Sequence, residues 1–506
     1  MRSISLKWAI LGVLVVPPVV ASCSSSSSGG DDGPPPSLDR AALLDPASCK
    51  QCHVNHYDQW SGSMHAYASD DPVFRAMNAR GQRETNGQLG DFCVKCHAPM
   101  ALHEKATKDG LNLDSVPQTL KGVTCFFCHS IDKIEGLHNA QLSLSNDMVM
   151  RGSYSDPVKN SAHRAGYSAL HDGDRIESAN LCGSCHDIEN GHGTKIERTF
   201  EEWQASVFAH VPSGNTCNQC HMSQSINLEP IAQNSPGVFS RHTHEHSLPG
   251  VDLALTPFPQ KDVQRKKVQE FLDSSIQSAL CATPVAVQGG EKTLVRVILD
   301  NVRAGHGFPS GSVQDRRLWA EVIGYSGDKK VFESGVVPDG VAATKNPDTD
   351  PSNYWLIRDC MFDGPDPGAK EVHMFWEAKS YEGNAIPAKV TSNPQDERFY
   401  KSHILRKYPH DDGKLFPGPV DRITLRIRMR AMDRDVLDSL VGSGDLDPAV
   451  INAIPTLDVG TMLTWTPATA TERFFENGQE FRCITETNLN LKSQVTPAPE
   501  RTRCSP

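Results

Sequence analysis

The chain of 506 residues has no apolar run long enough to cross a bilayer. Its leading one, Ala9 to Val20, holds about 12 residues, against the ~20 that a spanning helix needs. It has no excess of positive charge: 50 Lys and Arg stand against 61 Asp and Glu, a net charge of −11. No basic stripe is present, which excludes the usual footprint of a nucleic-acid binder. It also has no Cys-x-x-Cys pair without a His directly after it. A redox dithiol does not need that His, a zinc finger places its histidines far downstream, and a disulfide framework does not require one after every pair.

What stands there instead is one motif five times over: Cys49-Lys-Gln-Cys52-His53, Cys93-Val-Lys-Cys96-His97, Cys125-Phe-Phe-Cys128-His129, Cys182-Gly-Ser-Cys185-His186 and Cys217-Asn-Gln-Cys220-His221. Cys-x-x-Cys-His is the attachment pattern of c-type haem. The two cysteines form thioethers with the vinyl groups, and the His takes one axial position on the iron. The motifs predict five haems c, with His53, His97, His129, His186 and His221 as proximal ligands.

All five motifs fall within about 45–250, roughly 40 residues per haem, too few for a conventional apolar core around each. The haems themselves are expected to form much of the core, with short helices at the motifs and loops between. Of 20 histidines, 15 are not proximal. Whether they cap every iron separates a wire from an enzyme, because an open iron can bind substrate. Candidate distal ligands are His163, His242 and His246 of Arg241-His-Thr-His-Glu-His246, and His306 of Gly305-His-Gly-Phe-Pro-Ser-Gly311. His103, His138, His171, His192 and His210 read as solvated loop histidines, and Met100 and Met222 as packing.

Trp60-Ser-Gly-Ser63-Met-His65-Ala66 and Trp203-Gln-Ala-Ser206-Val-Phe-Ala-His210 look like two copies of a Trp-x-x-Ser unit. With Gly122-Val-Thr-Cys125, Leu181-Cys182 and Cys220-His221-Met222, they resemble the cytochrome c-552/c-554 group of multihaem cytochromes over about residues 45–250. In that group the His of Trp-x-x-Ser-x-His commonly caps another haem, which the resemblance carries to His65. The second copy departs from the pattern, since His210 lies further along. Turns like Gly305–Gly311 accompany this group in its β-domains, which suggests that His306 reaches across to a haem.

Arg2 and Lys7 ahead of the apolar stretch read as an export signal. The stretch ends in Val20-Ala21-Ser22-Cys23, which resembles the lipobox of bacterial lipoproteins. The resemblance implies lipidation of Cys23 and, with Ser24 after it, sorting to the outer membrane. A Ser-, Gly-, Asp- and Pro-rich spacer follows and reads as a flexible tether.

From about Pro257 the character changes. Lys261–Leu280 reads as an amphipathic linking helix. Strands are expected at Leu294–Leu299, Leu318–Tyr325, Lys330–Glu333 and Ile423–Arg430, the last with a solvated Arg face. A long irregular insertion is expected at about 335–420, and short helices over Asp433–Leu457. The turn at 305–311 reads as tight and exposed. Four cysteines, Cys281, Cys360, Cys483 and Cys504, remain for disulfides; the expected bridge is Cys483–Cys504.

The predicted class is α+β: a haem-packed, mostly helical and irregular part, then a mainly β, sandwich-like part. The expected divisions are 1–22 signal, 23–40 tether, 41–256 pentahaem region, 257–281 linking helix and 282–506 β-rich region. The expected function is electron transfer through five bis-His haems between redox protein partners, beside the outer-membrane lipid and without nucleic acid. The alternative is an oxidoreductase acting on a small nitrogen or sulfur compound at an open haem.

Overall fold

A computed structural model describes residues 37–158, 162–210, 214–233, 235, 237–345, 354–366, 368–408, 418–486, 489, 491, 496–497 and 504. The architecture is mixed α+β. Cys23 and the leader lie outside the described residues, as does His410.

Up to about residue 250 the elements are short. Helices such as Cys125–Ser130, Thr199–Ala205 and Cys217–His221 span one or two turns. The sheets here are two-stranded ribbons, Ile131–Ile134 with Leu142–Leu144 and Gln224–Pro230 with Ser240–His244 among them. The main apolar cluster, built on Phe74, Val94, Met100, Leu113, Phe126, Phe127 and Ile131, surrounds the second and third motifs. Thr124 and Thr216 cap the helices of the third and fifth motifs, their hydroxyls accepting from Phe127 N and Gln219 N.

The C-terminal half is built on two facing sheets. One runs Glu472–Glu476, Gln479–Thr485, Gln277–Val287, Gly290–Asp300, His403–Tyr408, Thr496–Pro497; the other runs Lys329–Ser334, Arg317–Ser326, Arg422–Arg430, Leu457–Trp465, with Leu356–Ile357 on its second strand. Val295, Val297 and Leu299 face Leu318, Ala320, Val322, Ile423, Leu425, Ile427 and Met429 across a shared core. Helix Lys261–Ser275 drops Val268 and Leu272 into it.

Several sequence expectations change here. The linking helix stops at Ser275, and Gln277–Leu280 already belongs to a strand whose residues 278–283 are all buried. The irregular stretch 335–420 contributes an inner strand, His403–Tyr408, to the six-stranded sheet. The Arg face of Arg422–Arg430 is not wholly solvated: Arg430 is buried, bonding Asp433 Oδ1 at 2.9 Å and the carbonyls of Val341 and Pro338. The helices Arg434–Gly442 and Pro448–Ile451 are present, but Leu457 opens a strand.

The cysteine pairing also differs. Cys281 bonds Cys483 and Cys360 bonds Cys504. The strands Gln277–Val287 and Gln479–Thr485 place Cys281 directly opposite Cys483, Cα to Cα 4.0 Å, a proximity that sequence separation hides. Cys504 is thereby left for Cys360.

The two halves meet in many places. Helix Pro72–Glu84 packs Val73 and Ala76 against Val436, Leu437 and Leu440 of helix Arg434–Gly442. Arg316 forms an ion pair with Asp252 at 3.1 Å.

Candidate functional site: five motifs and their facing histidines

Each motif forms a short helical turn; His53, His97, His129 and His221 are half-buried and His186 is exposed. The Nδ1 of His53 donates to Ile231 O at 2.9 Å, that of His129 to Arg151 O at 2.5 Å, that of His221 to Pro249 O at 2.8 Å, and that of His97 to Ala68 O at 3.3 Å. With the proton fixed on Nδ1, the Nε2 lone pair is free for a metal.

An iron between two imidazoles, with metal–nitrogen bonds of about 2 Å and each nitrogen about 1.2 Å from its ring centre, places the centres about 6.4 Å apart. Four motif histidines face a second imidazole at this separation: His53 and His163 at 6.2 Å, His186 and His65 at 6.2 Å, His221 and His306 at 6.4 Å, and His129 and His246 at 6.5 Å. His163, His246 and His306 each spend Nδ1 on a backbone carbonyl, those of Arg164, His244 and Gly307, which again frees Nε2.

His171 also stands near His129, at 5.8 Å. Its Nε2 donates to Cys128 O, within the motif itself, while its buried Nδ1 has no hydrogen-bond partner among the described residues. It is half-buried and not the solvated residue expected. His242 is exposed, bonds Ser225 O and faces no motif histidine, so of the Arg241–His246 candidates only His246 meets a motif. His56 was not singled out in the sequence. It packs edge-on against His246 at 4.7 Å and His53 at 6.0 Å, and only the tertiary arrangement reveals it.

His97 differs. The ring against it is Phe74, stacked at 4.1 Å and 2°, and among the described residues no imidazole faces it at metal-bridging distance.

Burial, reinforced by neighbouring imidazoles, lowers His65 to about 3 and His306 to about 4, and holds His246 well below the usual range. Burial likewise lowers His97 to about 4. These imidazoles are neutral at physiological pH, the form that ligates. The ten motif cysteines are free thiols while the other four described cysteines are disulfide-bonded. Free cysteine pairs, neutral imidazoles and metal-wide gaps all fit covalently attached haem.

Motif thiols from different motifs also lie side by side: Cys49 with Cys125, Cys96 with Cys185, and Cys182 with Cys217. The attachment points therefore run first to third and second to fourth to fifth.

The two Trp-x-x-Ser units are structurally equivalent. Trp60 Nε1 donates to Val123 O and Trp203 Nε1 to Asn215 O, both at 2.8 Å, and each acceptor lies two residues before a motif cysteine. Val123 N donates to His65 O and Asn215 N to Phe208 O, both at 2.8 Å. Phe208 thus occupies the place of His65, and His210 is exposed, two residues beyond. Gly122 is required in the first copy: at φ +70° a side chain there would meet the carbonyls of His65 and Ala66 at 2.6 Å.

The motifs and the fold around them define a multihaem c-type cytochrome. Residues 48–130 match the family described as cytochrome c554 and c-prime. A penta-heme cytochrome c552 from Thermochromatium tepidum has a similar structure, with a TM-score of 0.55 at 16% sequence identity, over 84% of this chain and 99% of that one. No curated protein matches the chain in sequence. The family match over residues 48–130 and the structural likeness support a multihaem c-type cytochrome of the cytochrome c-552/c-554 group.

Proposed function

We propose that the protein carries electrons through five covalently held haems, four of them bis-His ligated. The observation that carries this reading is the set of four facing imidazole pairs at 6.2–6.5 Å. Haem supplies a reversible one-electron couple. The chain supplies the rest: proximal histidines oriented by carbonyl bonds, the facing histidines His163, His246, His65 and His306, and thiols of different motifs placed side by side. Electrons enter or leave by docking of redox protein partners, and the net charge of −11 suits a basic one.

A second reading is favoured by one observation. Among the described residues no imidazole faces His97 across a metal-wide gap, and Phe74 stacks on the face of its ring. The haem at Cys93 and Cys96 is then the one that can take an external ligand, in line with an oxidoreductase of small nitrogen or sulfur compounds. EPR of the oxidised protein separates the readings. Four low-spin bis-His centres are expected, and a fifth signal of different ligation that shifts with nitrite, hydroxylamine or sulfite. Five bis-His signals would remove the open-haem reading; two or more high-spin haems would sink the four-pair wire.

His306→Ala is expected to convert one low-spin haem to high spin, and an unchanged spectrum would leave His306 a turn residue. The apolar leader and Cys23 support export and lipidation, with the body tethered at the outer membrane. Cys23→Ala is expected to move the protein from the membrane to the soluble fraction; retention in the membrane would contradict the anchor.

A further inference from the structure

We propose that the residue immediately before the tryptophan of each Trp-x-x-Ser unit is a positioning residue for a distal histidine borrowed from another part of the chain. Gln59 holds His246 and Glu202 holds the loop of His306. The proposal rests on the ligand reading given above for those two histidines.

The first copy presents Gln59 one place before Trp60. Its Oε1 accepts from the backbone N–H of His246 at 2.9 Å, and so fixes the chain at the residue facing His129. The second copy presents Glu202 before Trp203. Its Oε2 accepts from Gly307 N at 3.0 Å and from Ser310 Oγ at 2.9 Å, one and four residues beyond His306. A Cβ at Gly307 would lie 2.9 Å from that carboxylate oxygen, so the carboxylate would have to shift to admit one. One turn earlier, Thr199 Oγ1 accepts from Gly311 N at 3.1 Å and meets Ser310 Oγ at 2.8 Å.

The helix that carries Glu202 is itself oriented by a motif. Asp187, next to His186, accepts from Phe200 N and Glu201 N at 2.7 and 3.1 Å. On its other side the loop is bound to Ile386, which exchanges both backbone hydrogen bonds with Phe308 at 2.8 and 2.9 Å. The turn is therefore buried and clamped from both halves, and not the exposed turn its Gly and Pro content suggests.

The duplication gives the device its logic. The first unit carries a histidine of its own, His65, aimed at His186. The second carries Phe208 at that place, so the imidazole facing His221 comes from the C-terminal half. A rigid attachment of that half to the unit keeps the imagined metal-wide gap from opening.

The test uses full-length protein with its haems attached, read by EPR and by the rate at which added cyanide replaces the distal ligand. His306→Ala and His246→Ala supply the reference spectra. Glu202→Ala is expected to give a high-spin fraction at the haem of His221 and cyanide binding faster by about tenfold or more, as for one lost hydrogen bond to a charged acceptor. Glu202→Gln, which keeps an acceptor oxygen, restores most of the low-spin signal. Gln59→Ala is expected to produce the same change at the haem of His129. If His306→Ala changes the spectrum while Glu202→Ala changes neither spin state nor cyanide rate, the positioning role falls and the ligand reading stands. If His306→Ala itself changes nothing, the ligand reading falls. Should Glu202→Ala not accumulate with its haems, the Thr199→Val/Ser310→Ala variant carries the same expectation, and native behaviour there overturns the clamp.

Discussion

Produced without haem attachment, the protein is expected to lose ordered structure over most of residues 41–256, while the two-sheet part of the C-terminal half keeps its strands. The helices of the first part are mostly of four to eight residues, well below the ~12 that sustain a helix in water. Its sheets are two-stranded, and isolated two-stranded ribbons are marginal. The imidazoles face each other across gaps of 6.2–6.5 Å rather than packing against one another. The exception is helix Pro72–Glu84, whose 13 residues are supported by Val436, Leu437 and Leu440 of the C-terminal half. Limited proteolysis with mass mapping reads the result directly. Cleavage throughout 41–256 with survival of 277–485 is expected; a protease-resistant haem-free N-terminal half would show that its apolar cluster suffices alone.

Replacing both Cys281 and Cys483 with serine is expected to cost the C-terminal half up to about 5 kcal/mol, the chain-entropy value for a closed loop of this length. The bridge spans 202 residues of sequence and joins neighbouring strands at opposed positions. Its removal frees the unfolded chain far more than it disturbs the strands, which retain their backbone pairing and the contacts of Phe474, Phe481 and Leu405. Denaturant titration of the serine variant measures the loss as a lower midpoint at unchanged slope. A midpoint equal to wild type would mean that the bridge does not constrain the unfolded state. Peptide mapping of the native protein is expected to recover Cys281–Cys483 and Cys360–Cys504 peptides; a Cys483–Cys504 peptide would overturn the pairing.

Local chemistry was readable where it depends on adjacent residues. A Cys-x-x-Cys-His turn carries both thiols and the proximal imidazole within five positions, so the attachment sites needed no fold. Period-two patterning located Ile423–Arg430 for the same reason, because alternation is a property of one strand. The strand Gln277–Val287 was missed because its first part is buried on both faces and shows no alternation, so it reads on from the helix before it. Arg430 was misplaced because alternation marks faces but cannot show that loop carbonyls from Val341 and Pro338 close over one end.

The facing imidazoles are a different kind of observation. His163, His65 and His306 were named from short local contexts, and each faces a motif histidine. Yet no pattern along the chain says that His65 faces His186, 121 positions on, or that Phe208 replaces it in the second unit. The choice of His246 over His242 follows from where a ribbon ends, and the isolation of His97 beside Phe74 follows from how helix Pro72–Glu84 packs. The sequence by itself determined what is attached, because thioether formation and proximal ligation are satisfied within one helical turn. Only the tertiary structure decided which side chains face the motif histidines, because a facing imidazole comes from wherever burial and backbone hydrogen bonds hold it about 6 Å away.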